Sequence, residues 1–168
     1  MKNVRKLLVV VVLMAATSYV HAQSKVAHIN VQELLSAMPE MIAAQAELKK
    51  VQETYRADLE GSMTELKNKY AQYSNEAATM TKEENDKRAL ELQQFDKNIQ
   101  EAEATAMQDL QKKQAELFAP ITEKAKTAIE KVAASLGFDY VIDASQGGGL
   151  IVARGKDLLP EVKQELGF

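Results

Sequence analysis

The chain has 168 residues, with 21 Lys and Arg against 24 Asp and Glu, two His and no Cys. This length suits a single domain, and without Cys there is neither a disulfide nor thiol chemistry. A formal net charge of −3 offers no general basic face for phosphates, which argues against a nucleic-acid protein.

At the start, Lys2, Arg5 and Lys6 precede an apolar run from Leu7 to Ala16, and small residues follow it. That order predicts a secretory signal peptide over residues 1–22, with Val20 and Ala22 as the small residues before a cut after Ala22. The remaining 146 residues carry a net charge of −6 and no second apolar segment long enough to cross a bilayer. An exported, soluble protein is expected, touching membranes at most peripherally and working without nucleotide hydrolysis.

Next comes "KVAHINV", residues 25–31, a β-branched run that reads as a strand and contains Val26, Ile29 and Val31. A helical turn, "QELLSAM", follows. Pro39 then opens a segment rich in Ala, Glu, Gln, Lys and Leu, all good helix formers, with no further Pro until Pro120. Apolar residues recur there at steps of three and four through Leu48, Val51, Tyr55, Leu59, Met63, Leu66, Tyr70 and Tyr73. The stripe fails near residue 80, where Thr81 and Glu84 have the spacing of a capping box and predict a new helix. It resumes through Leu92, Phe95, Ile99, Ala102, Ala106 and Leu110, runs on past Pro120, and stops at Gly137, a left-handed cap.

If the chain reverses at Met80 and Thr81, residue i of the first helix lies opposite roughly 161 − i of the second. Leu66 then faces Phe95, Met63 faces Ile99, Leu59 faces Ala102, Tyr55 faces Ala106 and Val51 faces Leu110, so large residues alternate with small ones. The two stripes thus predict one antiparallel helical hairpin. Gly61 costs its helix roughly 1 kcal/mol relative to Ala, which makes bending easiest near it.

Beyond Gly137 the period becomes that of strands. "FDYVIDA", with Tyr140, Val141 and Ile142, and "LIVAR", with Leu150 and Val152, flank "SQGGG". A phosphate-binding Gly loop leads into a helix and is often followed by Lys with Ser or Thr. Here a strand pattern follows, with no GK[ST] and no GxGxxG, so the glycines are expected to close a β-hairpin. The final "DLLPEVKQELGF" predicts a short amphipathic helix capped by Asp157, with Leu158, Val162 and Leu166 on its buried face.

Chemistry-bearing residues are scarce. His28 is the only imidazole after Ala22, so a catalytic triad or a His-based metal site lacks its parts, and a strand role is expected for it. Glu83 with Glu84, and Glu101 with Glu103, are too close in sequence to share a helix face. No catalytic, metal or cofactor-binding residue is expected, nor an enzyme. Over residues 40–118 there are 16 Asp or Glu against 11 Lys or Arg, with no basic tract for nucleic acid. Apolar residues outside the seam, namely Met41, Ile42, Met80, Met107 and Phe118, are candidates for contact with a partner.

The fold expected is α+β but mostly α: a long helical-hairpin arm, residues 40–118, inserted into a small β-rich body made of residues 23–39 and 119–168. "KVAHINVQELL", the charged hairpin, "GFDYVIDAS" and "DLLPEVKQEL" together resemble the Skp/OmpH family of periplasmic chaperones. The resemblance implies a homotrimer whose strands form a common body and whose arms hold unfolded outer-membrane proteins, without ATP, in the periplasm. Well-studied members of that family are basic with positive arms, whereas this arm is net acidic. The alternative is a coiled-coil scaffold of the cell envelope, with one defined partner.

Overall fold

The computed structural model describes residues 24–168, so the expected signal peptide and its cut after Ala22 lie outside the described residues. In chain order the elements are β1 (Val26–Ile29), α1 (Val31–Ala37), α2 (Pro39–Glu76), a single tight turn of helix at Ala77–Thr79, α3 (Lys82–Leu136), β2 (Tyr140–Asp143), β3 (Lys156–Asp157) and α4 (Leu159–Leu166). The 38 residues of α2 and the facing part of α3 make an arm about 57 Å long.

The helix ends follow local chemistry. Asn30 caps α1, its side chain accepting from the Glu33 N–H, so Val31 is the first residue of a helix and not the end of β1 as expected. Pro39 occupies the first position of α2, where its missing N–H costs nothing. Thr81 accepts from the Glu84 N–H at 3.2 Å and starts α3, and Gly137, at φ 72°, ends it. Helix α4 begins at Leu159, and the Asp157 carboxylate accepts from the Leu159 N–H at 2.9 Å from just outside the helix.

The sheet corrects the sequence reading. Its order is β2-β1-β3, and both neighbours run parallel to β1. Since β3 is parallel to β1 on the edge opposite β2, residues 144–155 must carry the chain back to the start of that edge strand, and no hairpin forms. Leu150 and Val152 therefore lie in the return connection rather than in a strand. The glycines still serve the turn: Gly147 and Gly149 have φ of 93° and 79°, and a Cβ on Gly148 would sit 2.7 Å from the Asp143 carbonyl oxygen.

A polar knot joins the two remote chain segments beside the sheet. Asp143 Oδ1 accepts from the Ser145 N–H and Oγ and from the Val31 N–H, while Ser145 Oγ accepts from the Gln32 N–H. Burial opposes the Asp143 charge, but these donors outweigh it and hold the carboxyl below its ordinary range. Ala27 and Ile29 of β1 face inward onto Leu34, Met38, Ala125, Ala128, Val132, Leu158 and Val162, which form the core of the body. The C-terminal third of α3 belongs to that core, since Ile121 and Ala125 pack there just beyond Pro120.

Candidate functional site

The arm is held by a seam that follows a seven-residue repeat. On α2 the half-buried positions are Leu48, Val51, Tyr55, Leu59, Ser62, Leu66, Lys69 and Tyr73; on α3, Leu92, Ile99 and Ala106 are buried and Phe95 and Leu110 half-buried. The expected register holds: the numbers in each cross-pair add to 160 for Lys69–Glu91 and Lys113–Glu47, and to 164 for Arg88–Glu76 and Lys124–Glu40.

Two expected seam residues, Met63 and Tyr70, are not in it. Ser62 and Lys69 take the seam positions, because a step of four from Leu59 to Met63 would carry the stripe round the helix. Met63 is 52% and Tyr70 53% exposed. Ala102 is also exposed: the register sets it opposite half-buried Leu59, and its own methyl is too small to fill the seam, as is the neighbouring Ser62. The seam is consequently thinnest at mid-arm. Near the tip it becomes polar: Lys69 Nζ lies 2.7 Å from Glu91 Oε1, the Tyr73 hydroxyl donates to Glu91, and the Arg88 guanidinium sits 4.5 Å from the Tyr73 ring centre. Hydrogen bonds from Lys69 and Tyr73 hold the Glu91 carboxyl low, as those from Gln72 and Arg88 do for Glu76.

The candidate partner contacts divide. Ile42, Met80 and Met107 are exposed, as a contact surface requires. Met41 is not: it is 5% exposed, turned into the body core with Met38 and Ala44. Phe118 is half-buried against the same core at the root of the arm. Leu90, exposed on α3, had no signal beyond a break in the stripe.

Open apolar surface occurs at two places. Along one flank of the arm, two shallow grooves meet at Met63 and Glu103; one reaches Tyr55, Leu59, Ala106, Met107 and Leu110, the other Leu66, Tyr70 and Ile99. On the body, Val26, Tyr140 and Ile142 expose their side chains on the sheet face turned away from the core, and Ile151 is 97% exposed in the return connection. Val141 instead joins Val31, Ile129, Ala133 and Phe138 in a groove of about 480 Å³ between α3 and the sheet. No group of three or more Asp, Glu or His side chains converges to hold a metal among the described residues, and no described helix is long and apolar enough to cross a membrane.

Comparison with known proteins gives a consistent picture. A family model described as outer membrane protein (OmpH-like) matches residues 25–166. The sequence is 25% identical over 158 residues to the chaperone protein Skp of Pectobacterium atrosepticum, covering 92% of each chain. The fold is similar to that of a solved structure from Caulobacter crescentus CB15 described as an OmpH-like outer membrane chaperone, with a TM-score of 0.75 at 16% identity over 86% of this chain and 85% of that one.

Proposed function

We propose, from the premise that this chain belongs to the OmpH-like outer membrane protein family, that it is a periplasmic holdase chaperone. It binds unfolded outer-membrane proteins and keeps them from aggregating in transit, without ATP. Three copies join through their bodies, and the arms surround the client. A mature chain beginning after Ala22 belongs to the same reading.

The observation that carries this proposal is the long arm, held by a thin seam and open to solvent along an apolar flank. Such a surface suits many weak contacts with varied sequences rather than one tight fit. The exposed Val26, Tyr140 and Ile142 support assembly through the body, because an apolar sheet face calls for a cover. The net acidic arm points to apolar capture more than to charge attraction.

Two measurements test the reading together. The purified protein should suppress light scattering by several unrelated outer-membrane barrel proteins diluted from denaturant, with no nucleotide present. Native mass spectrometry should give three chains, and one client should bind per assembly. Binding confined to a single folded partner would point to the scaffold alternative, and a stable monomer at micromolar concentration would remove the enclosing arrangement.

A further inference from the structure

We infer that the arm engages its client with one flank only: the groove along Tyr55, Leu59, Met63, Leu66 and Met107 takes a short, extended stretch of unfolded polypeptide with apolar residues at alternate positions. This rests on the holdase reading and deepens it by assigning the contact surface.

The asymmetry follows from helix geometry. At 3.6 residues per turn, the residue after each seam position lies on one flank and the residue before it on the other. On α2 the first set is Arg56, Glu60, Met63, Lys67 and Tyr70; the second is Thr54, Asp58, Gly61, Glu65 and Asn68. Only the first holds large apolar side chains, and on α3 Met107, 58% exposed, stands on that same flank.

Polar contacts reinforce the difference. On the second flank they cross between the helices: the Tyr55 hydroxyl donates to Asp109 at 3.1 Å, and Lys69 and Tyr73 both donate to Glu91. On the first flank the charges pair along their own helix, Arg56 with Glu60 at 2.8 Å and Lys49 with Glu53 at 3.9 Å. No ion pair bridges the groove between the helices, and its charged side chains, Lys49, Arg56 and Lys67 against Glu53, Glu60, Asp96 and Glu103, leave a net charge of only −1. A neutral apolar occupant matches that balance better than a charged one.

Its dimensions select an extended chain. The fifteen-residue step from Tyr55 to Tyr70 spans about 22 Å, which accommodates about seven residues of a strand at roughly 3.3 Å each. Strands of outer-membrane barrels alternate apolar and polar residues over segments of about ten residues, so the groove would take most of one. Apolar residues at alternate positions would enter the groove, while Gln52 and Gln100 beside it can bond to the unpaired backbone.

The test places a photo-reactive amino acid at Met63, Tyr70 or Met107, and in separate variants at Asp58, Glu65 or Thr105, in the full-length assembled protein. A small outer-membrane barrel protein, unfolded in urea, is diluted in and irradiated. The first three positions should label the client about tenfold more than the second three, and Met63→Glu with Met107→Glu should weaken client affinity by about tenfold, as expected for losing partial burial of the two methionine side chains. Glu65→Lys should leave affinity unchanged. All these sites are exposed, so circular dichroism and native mass should match the parent. Equal or stronger labelling from the second flank, or labelling only of another copy of this chain, overturns the inference while client capture stands. Failure of the parent protein to capture any client overturns the holdase reading with it.

Discussion

Helix α3 passes through two environments, and the contrast locates stability in one and adaptability in the other. In the body it meets β1, α1 and α4, and Ala125, Ala128, Val132 and Ala133 are buried there alongside Leu34, Met38, Leu158 and Val162. In the arm the same helix meets only α2, and between Thr81 and Leu117 its buried residues are Leu92, Ile99 and Ala106. Apolar burial scales with area, so most of the fold's stabilisation resides in the body. A surface that must adjust to varied partners can be loose only if something else keeps the chain folded.

The contrast would be broken most directly by cavities. Leu158→Ala, at a site with no exposure, should cost about 2–5 kcal/mol and lower the melting temperature of the whole molecule, arm included. Leu59→Ala, at a half-buried seam position, should cost much less. Similar losses at the two sites, in matched denaturant titrations, would show that the arm shares the stability of the body. Gly148→Ala should rank next, at about 1–3 kcal/mol, because its Cβ would press on the carbonyl oxygens of Asp143 and Ser145 beside the polar knot. An unchanged melting temperature there would mean that the return connection is not fixed to β2.

Most of the hairpin was legible because its signals are local. The Thr81 cap, the Gly137 stop and the Pro39 start each act over a few residues, and the register follows once the turn is placed. The misread residues depended on relations at longer range. Choosing Ser62 over Met63 requires counting a seven-residue repeat from Leu48 and Tyr55, not joining the nearest apolar residues. Met41 appears free in isolation and is covered only when α1 and α3 close over it. Lys156 and Asp157 carry no strand signal; they pair with Ala27 and His28 through tertiary placement, whereas the β-branched Ile151 and Val152 do not pair. Strand preference reports fitness for a half-buried pleat, and the chain path decided which residues occupy it.

At mid-arm the comparison can be sharpened by adding stability rather than removing it. Nothing lies within 4 Å of a Cβ built on Gly61, so Gly61→Ala should stabilise α2 by roughly 1 kcal/mol without a clash. Amide exchange should slow around Gly61 and Ala102 and stay unchanged in β1 and α4. If bending there serves capture, the range of client sizes should narrow as well. Slower exchange with an unaltered client range would leave the thin seam without a role in binding.

The smallest effect concerns the tip, where charge replaces apolar contact. Glu76 and Glu91 have carboxyl groups held below their ordinary value in the folded chain, so their contribution is fully present above the unfolded value, about 4.3, and is lost as pH falls through the folded value. Tyr73 works in the opposite sense: its hydrogen bond to Glu91 raises its pKa, so that contribution is present below about 10 and lost as pH rises through the folded value. Protection of tip amides, with the intrinsic pH dependence of exchange divided out, should therefore be flat across neutral pH and fall below about 4, before the apolar core of the body opens. Glu91→Gln should blunt the acid response, while Arg88 stacked on Tyr73 preserves part of the closure. A tip that loosens at neutral pH, or only together with the body, would show that these charges do not hold the hairpin end.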